Sequence, residues 1–190
     1  MESTRIIKFG GSLLSRDHWA DDFRHWYTAT PGQRDILVVG GGSRVDRIRE
    51  LDRRLKLGDV ACHFLAVAQM DILARTVSKR LGWPLISSPG DCCKHPRSVA
   101  ITGDWMDDAE NRGTVDLSVS WDVTSDSIAA WVAKLCDAHQ LVLLKSRRAV
   151  GENARDWTAA RIVDPCFPRL SATLNAVTVE YLPPCCFDSA

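Results

Sequence analysis

The sequence predicts an α/β fold, a three-layer αβα sandwich with a mostly parallel central sheet. Short, continuous apolar runs alternate with longer segments of helical periodicity, which is typical of parallel strands buried between two layers of helices. Two of the apolar runs end in glycine clusters, as strand-to-helix turns often do. The chain has 190 residues, which suits one domain better than two, so we expect residues 1–190 to form a single domain.

The individual elements follow from hydrophobic periodicity and from the positions of glycine and proline. Apolar runs predict strands at residues 5–9, 36–39, 85–86, 98–101, 117–121, 141–144 and 177–182. Helical spacing predicts helices at residues 17–29, 44–57, 60–81 and 128–136 and a short helix around Leu170. The helix at 60–81 is apolar around much of its circumference, so we expect it to be buried. Residues 103–116 and 150–160 are expected to be loops, the first with room for one helical turn.

The composition narrows the classes of function. The chain carries 24 Lys and Arg residues against 24 Asp and Glu residues, and 45% of its residues are hydrophobic. An apolar core can therefore form, and the zero net charge argues against a general nucleic-acid binder or a binder of anionic membranes. No apolar run approaches the roughly 20 residues of a membrane span. The first residues lack the apolar stretch of a signal peptide, so we expect a cytoplasmic protein without nucleic-acid or membrane partners.

The seven cysteines are expected to be reduced thiols, because no export signal is recognisable. No C-x-x-C spacing occurs, which argues against a zinc ribbon. A metal site built from Cys92, Cys93 and His95 is conceivable, but the ligand spacing does not support it, so no metal site is predicted. The pattern assigns no role to the adjacent pairs Cys92-Cys93 and Cys185-Cys186.

The first candidate site follows the first predicted strand. Lys8 lies near the end of that strand, where its ammonium group would stand at the carboxyl edge of the sheet, and Gly10, Gly11 and Ser12 come shortly after. Glycines let backbone N–H groups approach an anion closely, so the segment is typical of a phosphate site. It is not a Walker A loop, because the G-x-x-x-x-G-K-[ST] pattern is absent. The alternative is a solvent-exposed lysine beside a tight turn.

A second glycine cluster, Gly40, Gly41 and Gly42, lies between a buried apolar run and a charged helix. The N-terminus of that helix offers free N–H donors and the positive end of a dipole. A flexible turn is the alternative. Because ligands bind outside the carboxyl ends of parallel strands and both clusters open there, the two together predict a site for an anion or a nucleotide.

Further polar residues stand at element ends. Thr124 and Ser125 are candidates for the cap of the helix that follows them. Asp126 is not needed for capping, and its carboxylate could hold a lysine or bind Mg²⁺ through water. Lys145 follows the last long apolar strand and could meet nucleotide phosphates, a solvated basic loop being the alternative. His63 opens the longest helix and could face a substrate, although a buried structural histidine is the more common case.

In their order, these motifs resemble the amino acid kinase superfamily, which includes acetylglutamate, aspartate, uridylate and isopentenyl phosphate kinases. The resemblance rests on Lys8-x-Gly10-Gly11-Ser12, then Gly40-Gly41-Gly42, then Thr124-Ser125-Asp126-Ser127, and it covers nearly the whole chain. The stretches at residues 63–71 and 121–131 are similar to a small branch linked to methanofuran biosynthesis. In that branch the archaeal enzyme phosphorylates an aminomethyl-furanmethyl phosphate to its diphosphate.

The resemblance implies a kinase-like domain with an acceptor-substrate half at residues 1–115 and a shortened nucleotide half at residues 116–190. It implies ATP-dependent phosphoryl transfer to a small phosphate- or carboxylate-bearing acceptor, with Mg²⁺ on the nucleotide phosphates, in a homo-oligomer of two or more chains. The matching positions take these roles: Lys8 and Asp126 are catalytic; Gly10, Gly11, Ser12, Thr124, Ser125 and Lys145 bind the nucleotide; Gly40, Gly41, Gly42 and His63 bind the acceptor.

The chain departs from the superfamily in its nucleotide half. Many relatives carry a second catalytic lysine in their C-terminal third, but no lysine follows Lys145 here, and residues 145–151 replace the usual Thr-Asp-x-x-Gly loop. One interpretation is that Arg147, Arg148 or Arg161 supplies the missing charge. The alternative is a catalytically weak or inactive kinase-fold protein, which binds a small anion or serves as an accessory subunit.

Overall fold

The computed structural model describes residues 3–107 and 117–185. Its centre is a six-stranded sheet in which all neighbouring strands are parallel. The strands are β1 Thr4–Phe9, β2 Arg34–Val39, β3 Leu85–Ile86, β4 Arg97–Ala100, β5 Gln140–Lys145 and β6 Val177–Tyr181. Their order across the sheet is β3-β4-β2-β1-β5-β6. The α/β class and the parallel sheet predicted from the sequence are confirmed.

Helices cover the sheet. Within the two described ranges they are α1 Trp19–Ala29, α2 Arg44–Leu55, α3 Asp59–Leu81, α4 Thr102–Asp107, α5 Ser125–Leu135, α6 Ala154–Ala159 and α7 Phe167–Ser171. Short 3₁₀ helices occupy Gly11–Ser15 and Pro89–Asp91.

The strands supply two apolar cores, one on each face of the sheet, because successive side chains of a strand point to opposite faces. Ile6 belongs to the core that contains Trp131 of α5, and its neighbour Ile7 belongs to the core that contains Phe23 of α1. Both faces are therefore buried, which explains why β1, β2 and β5 are nearly continuous apolar runs in the sequence.

The longest helix, α3, has one buried side and one exposed side. By length and composition its 23 residues could cross a membrane, but Val67, Met70 and Val77 pack into the core as they would in a core helix of a globular protein. Phe64 and Ile72 lie on the opposite side and are 46% and 53% exposed. The prediction that this helix is buried is correct for only one of its sides, because the rest of residues 3–107 and 117–185 covers that side alone.

Two local predictions also need correction. Residues 117–121 do not form a strand but an irregular segment that ends in a turn, where the N–H of Val123 donates to the carbonyl of Ser120. Residues 154–159 form α6 instead of a loop, because the Asn153 side chain caps the helix by accepting from two backbone N–H groups. Part of the loop expected at 103–116 is α4, while residues 108–116, like Cys186, lie outside the described residues.

The topology collects the candidate segments at one edge of the sheet. β1 lies between β2 and β5, and all three run in the same direction. The loops after β1 and β2 and the last residue of β5 therefore meet at the carboxyl edge. Helix α5 precedes β5 and runs antiparallel to it in the layer above, so its N-terminus lies at that edge too. Parallel sheets commonly bind ligands there.

Candidate active site at the carboxyl edge of the sheet

The two glycine clusters are in direct contact with each other. The N–H of Gly10 donates to the carbonyl of Leu144 at 3.0 Å, and the N–H of Gly40 donates to the carbonyl of Phe9 at 2.9 Å, so both loops continue the hydrogen bonding of the sheet. A Cβ atom on Gly11 would collide with the backbone of Gly42, whose φ is 65°. Backbone lies against backbone here, and only glycine allows that approach.

Two lysines and one aspartate form the centre of the site. The Nζ of Lys8, on β1, lies 2.9 Å from Oδ1 of Asp126 in the first turn of α5. The Nζ of Lys145, the last residue of β5, donates to Oδ1 and Oδ2 of Asp126 at 2.8 and 2.7 Å and to the carbonyl of Ile162 at 2.7 Å. Two lysines from separate parts of the sequence thus meet on one carboxylate.

The cluster is buried and carries an excess of positive charge. The side chains of Lys8, Lys145 and Asp126 are 5%, 12% and 7% exposed. Burial alone would raise the pKa of Asp126, but the two ammonium groups outweigh it and hold that pKa below its ordinary value. Burial, assisted by repulsion from Lys8 and opposed by Asp126, lowers the pKa of Lys145 to about 8. At neutral pH two ammonium groups therefore face one carboxylate, an arrangement that attracts an anion.

A cavity of about 370 Å³ opens beside this cluster. Nine of the twelve site residues predicted from the sequence line it: Lys8, Gly11, Ser12, Gly41, Gly42, His63, Thr124, Ser125 and Asp126. Three do not line it. Gly10 and Gly40 lie behind the surface, in the hydrogen bonds of the strand ends, and Lys145 lies under Asp126.

The wall of the cavity opposite the lysines is mixed in character. The His63 Nδ1 lies 3.4 Å from the carbonyl oxygen of Ser120, and burial lowers the pKa of His63, so its imidazole is neutral at pH 7. The indole N–H of Trp121 donates to the Asp52 carboxylate at 3.1 Å, and the Arg49 guanidinium lies 5.0 Å from the centroid of the Trp121 ring. Sequence reasoning missed Arg49, because one arginine in a helix rich in charged residues gives no signal of its own.

Asp164 is a second residue that the sequence did not reveal. Its buried carboxylate accepts hydrogen bonds from the N–H groups of Thr124 and Ser127 at 3.1 Å each, and from the Thr124 hydroxyl at 2.8 Å. The same carboxylate accepts from the N–H groups of Cys166 and Phe167 at the start of α7. Thr124 occupies the N-cap position of α5, as the sequence predicts, but its side chain makes no capping hydrogen bond, because Asp164 supplies the acceptor.

The arginines proposed as substitutes for a missing lysine lie elsewhere. Arg147 donates to the carbonyl of Arg161, and Arg148 stacks over the ring of Tyr181 at 5.1 Å. The second positive charge at Asp126 comes from Lys145 instead, a residue that the sequence analysis placed at the nucleotide loop.

The side chains of the site are poorly suited to serve as ligands of a metal ion. Both oxygens of Asp126 are engaged by lysine ammonium groups, so this carboxylate is better placed to hold lysines than to bind Mg²⁺. Residues 3–107 and 117–185 contain no group of three or more His, Cys, Asp or Glu side chains arranged to hold a metal ion.

Comparison with known proteins agrees with this architecture. The chain is 22% identical over 196 residues to a [5-(aminomethyl)furan-3-yl]methyl phosphate kinase from Methanocaldococcus jannaschii, a match that covers 92% of this chain and 87% of the relative. No protein-family model matches the sequence.

Among solved structures, the UMP kinase of Ureaplasma parvum superimposes with a TM-score of 0.66 at 11% identity, covering 96% of this chain and 91% of that one. The UMP kinase of Bacillus anthracis gives a TM-score of 0.64 at 11% identity over 95% and 88% of the two chains. The six parallel strands, the order of the motifs and these matches confirm the resemblance predicted from the sequence: the chain has the fold of the amino acid kinase superfamily.

Proposed function

We propose that this protein is an ATP-dependent small-molecule kinase, which transfers the γ-phosphoryl group of ATP to a small acceptor that bears a phosphate or carboxylate. The observation that carries the proposal is the buried cluster of Lys8, Asp126 and Lys145, with its net positive charge beside two touching glycine loops. Phosphoryl transfer depends mainly on positioning and on stabilising negative charge, and it needs no covalent nucleophile. The cluster has the chemistry for that task.

The ammonium group of Lys8 would contact the transferred phosphoryl group, and Asp126 would hold Lys8 and Lys145 in place. The backbone of Gly11 and Ser12 would bind nucleotide phosphates together with Thr124, Ser125 and Lys145, while Gly10 would position their loop from behind. Gly41, Gly42 and His63 would bind the acceptor on the opposite side, with Gly40 positioning their loop. Lys145 then provides the second positive charge, so the absence of any later lysine does not leave the site short of charge.

ATP fits the donor set at this edge of the sheet, since glycine backbone and an unbalanced ammonium charge both favour phosphates. Mg²⁺ would be carried by the nucleotide phosphates and water, because Asp126 is already engaged by the two lysines.

The acceptor that we favour is an aminomethylfuran phosphate of a methanofuran-type pathway in one-carbon metabolism. The relative from Methanocaldococcus jannaschii is named for such a substrate. The cavity agrees in size, since about 370 Å³ suits a small molecule, and Val67, Met70 and Trp121 offer apolar surface to a flat ring.

One observation favours the alternative, a kinase-fold protein that binds an anion with little turnover. All three protons of the Lys145 ammonium are directed at protein acceptors, two at Asp126 and one at Ile162. Lys145 would therefore have to break one of these hydrogen bonds before its ammonium group could reach a nucleotide phosphate.

The direct test is phosphoryl transfer followed by ³¹P NMR, with the purified protein, Mg²⁺, ATP and synthetic [5-(aminomethyl)furan-3-yl]methyl phosphate. We expect the phosphomonoester signal to be replaced by the two coupled signals of a diphosphate as ADP appears. A reaction without acceptor measures ATP hydrolysis, and a parallel reaction with UMP tests the acceptor. If only UMP is phosphorylated, the proposal of a kinase holds and the proposal of a furan acceptor is wrong. Calorimetric binding of Mg-ATP without transfer to any small phosphate or carboxylate would establish the alternative.

We also propose that the protein is a homo-oligomer, and an apolar stripe supports this. The stripe consists of exposed side chains at helical spacing on α3 and in the turn before it: Leu57, Val60, Phe64, Leu65 and Ile72. Leu51 and Leu55 of α2 are exposed as well, at 43% and 63%. Several exposed apolar side chains on neighbouring helices of a globular protein are typical of an interface with another chain.

Charges placed in the stripe should separate the subunits. We expect the wild-type protein to have at least twice the mass of one chain by light scattering and the Phe64→Asp, Ile72→Asp double variant to have the mass of one chain. Val150→Asp is the matched control, because Val150 is apolar and 68% exposed but lies in a loop away from α3. A wild-type protein that is monomeric at micromolar concentration would contradict this prediction.

A further inference from the structure

Two cysteines that are 44 residues apart in the sequence meet inside the domain. The Sγ atoms of Cys92 and Cys136 lie 3.2 Å apart. Cys92 follows the 3₁₀ helix Pro89–Asp91 and is 6% exposed, and Cys136 is the residue at the C-terminal cap of α5. Both belong to the apolar core on the α5 side of the sheet. The kinase function proposed above uses neither thiol.

The two thiols differ chemically. One S–H donates to the other sulfur, and this hydrogen bond lowers the pKa of Cys92 while it raises the pKa of Cys136, which burial raises further. Thiols react as thiolates, so Cys92 is the better nucleophile of the pair. A sulfur with a second sulfur already in contact needs little rearrangement to form a disulfide.

We propose that Cys92 and Cys136 form a redox-sensitive pair that a peroxide converts to a disulfide. The thiolate of Cys92 attacks one oxygen of hydrogen peroxide, the O–O bond breaks, and Cys92 becomes a sulfenic acid as hydroxide leaves and is protonated to water. The sulfur of Cys136 then attacks the Cys92 sulfur as it loses its proton, an S–S bond forms, and the S–O bond of the sulfenic acid breaks. The leaving hydroxide takes up that proton and departs as a second water. In total, two thiols and one hydrogen peroxide give one disulfide and two waters.

The disulfide would link the predicted acceptor half, residues 1–115, to the predicted nucleotide half, residues 116–190, and residues of both halves line the cavity of the candidate site. Cys92 lies in the segment between β3 and β4, and Cys136 ends the helix whose first turn carries Asp126. Over its 11 residues α5 is about 16 Å long, so the link would lie at the far end of that helix from the site. It would close a long loop and restrict the unfolded chain, and hence raise the melting temperature.

The test is peptide mapping of the full-length protein, first reduced and then treated with equimolar hydrogen peroxide. After the remaining thiols have been alkylated, a tryptic digest without reductant should contain a cross-linked species of residues 81–94 and 135–145. Its mass should be about 2 Da below the sum of the two peptides in which only Cys93 carries an alkyl group. Oxidation should also raise the melting temperature, by roughly 5–10 °C. Neither readout depends on kinase activity.

The experiment must distinguish Cys93 from Cys92, because both lie in the same tryptic peptide and Cys93 is exposed. The Cys93→Ser variant should still form the cross-link and show the melting shift, while Cys136→Ser should show neither. Loss of the cross-link in Cys93→Ser would overturn the assignment, since Cys93 would then be the reacting residue. The assignment would also be overturned if Cys92 and Cys136 of the wild-type protein both still react with the alkylating reagent after peroxide has fully oxidised Cys93. The wild-type comparison stands even if a serine variant does not fold.

Discussion

Replacement of either buried lysine by methionine is expected to lower kcat/KM for phosphoryl transfer by about 10²–10³-fold, because one well-placed charge stabilises the transition state by a few kcal/mol. Methionine keeps most of the side-chain volume, so Lys8→Met and Lys145→Met remove the ammonium group and little else. Lys134→Met is the matched control, because Lys134 is exposed on the same helix as Asp126 but at its other end, and its rate should stay within twofold of wild type.

The two variants test different statements. Lys8→Met tests the phosphoryl contact, which the order of motifs in the sequence already suggests. Lys145→Met tests whether a lysine at the end of β5 provides the second positive charge of the site. A Lys145→Met enzyme with wild-type kcat/KM would show that Lys145 only neutralises Asp126, and the interpretation in which an arginine acts on the nucleotide would return.

Lys145 should also make ligand binding and stability depend on pH in the alkaline range. With its pKa at about 8, the Lys145 ammonium loses its proton above that pH, so the excess positive charge facing Asp126 disappears and the binding of anionic ligands weakens. Stability moves in the opposite direction. Because burial lowers this pKa below its unfolded value of roughly 10.4, the unfolded chain binds more protons between those two pH values, and the free energy of unfolding rises with pH there.

Urea unfolding at pH 7.5 and at pH 10, for wild type and Lys145→Met, isolates this contribution. The pH-dependent gain attributable to Lys145 is up to about 3 kcal/mol, and the variant should lack it. Groups that do not interact with Lys145 titrate equally in both proteins, so their effects cancel in the difference. If the free energy of unfolding depends on pH identically in the two proteins, then burial does not lower the pKa of Lys145 as described.

The strands and glycine loops were predictable because local sequence determines them. A strand buried on both faces must be an apolar run, and a loop in which Gly11 meets the backbone of Gly42 must contain glycine. Asp126 was also predictable, since a carboxylate in the first helical turn after two possible caps has no local task. For the strands and for Asp126 the physical requirement concerns residues that are adjacent in sequence, and for the glycine loops it concerns the ends of two paired strands.

The partners of Asp126 could not be predicted in the same way, because they depend on which strands become neighbours. Lys145 reaches Asp126 only because β5 pairs with β1, so that two strand ends lie below the same helix turn. The exposed side of α3 has a similar origin. Its sequence is apolar around much of the circumference, and only the packed fold shows that the described residues leave one of its sides uncovered.

The largest effect on stability is expected from Asp164→Ala, which should lower the free energy of unfolding by about 3–5 kcal/mol. The carboxylate of Asp164 serves two helices at once, since it accepts from Thr124 and Ser127 at the start of α5 and from Cys166 and Phe167 at the start of α7. Alanine would leave these buried donors without an acceptor. A loss of that size is a large fraction of the 5–15 kcal/mol that typically holds a domain together.

Two further variants separate capping from other effects of the change. Asp164→Asn keeps one acceptor oxygen and should lose less stability than Asp164→Ala, while Asp122→Ala, at an exposed position in the same segment as Thr124, should change stability by less than about 0.5 kcal/mol. Because Asp164 fixes the turn that carries Asp126, the asparagine variant should also lose kcat under conditions in which it remains folded. Equal stability of Asp164→Ala and Asp122→Ala in urea unfolding would show that water can replace the carboxylate, and that the N-terminus of α5 does not depend on it.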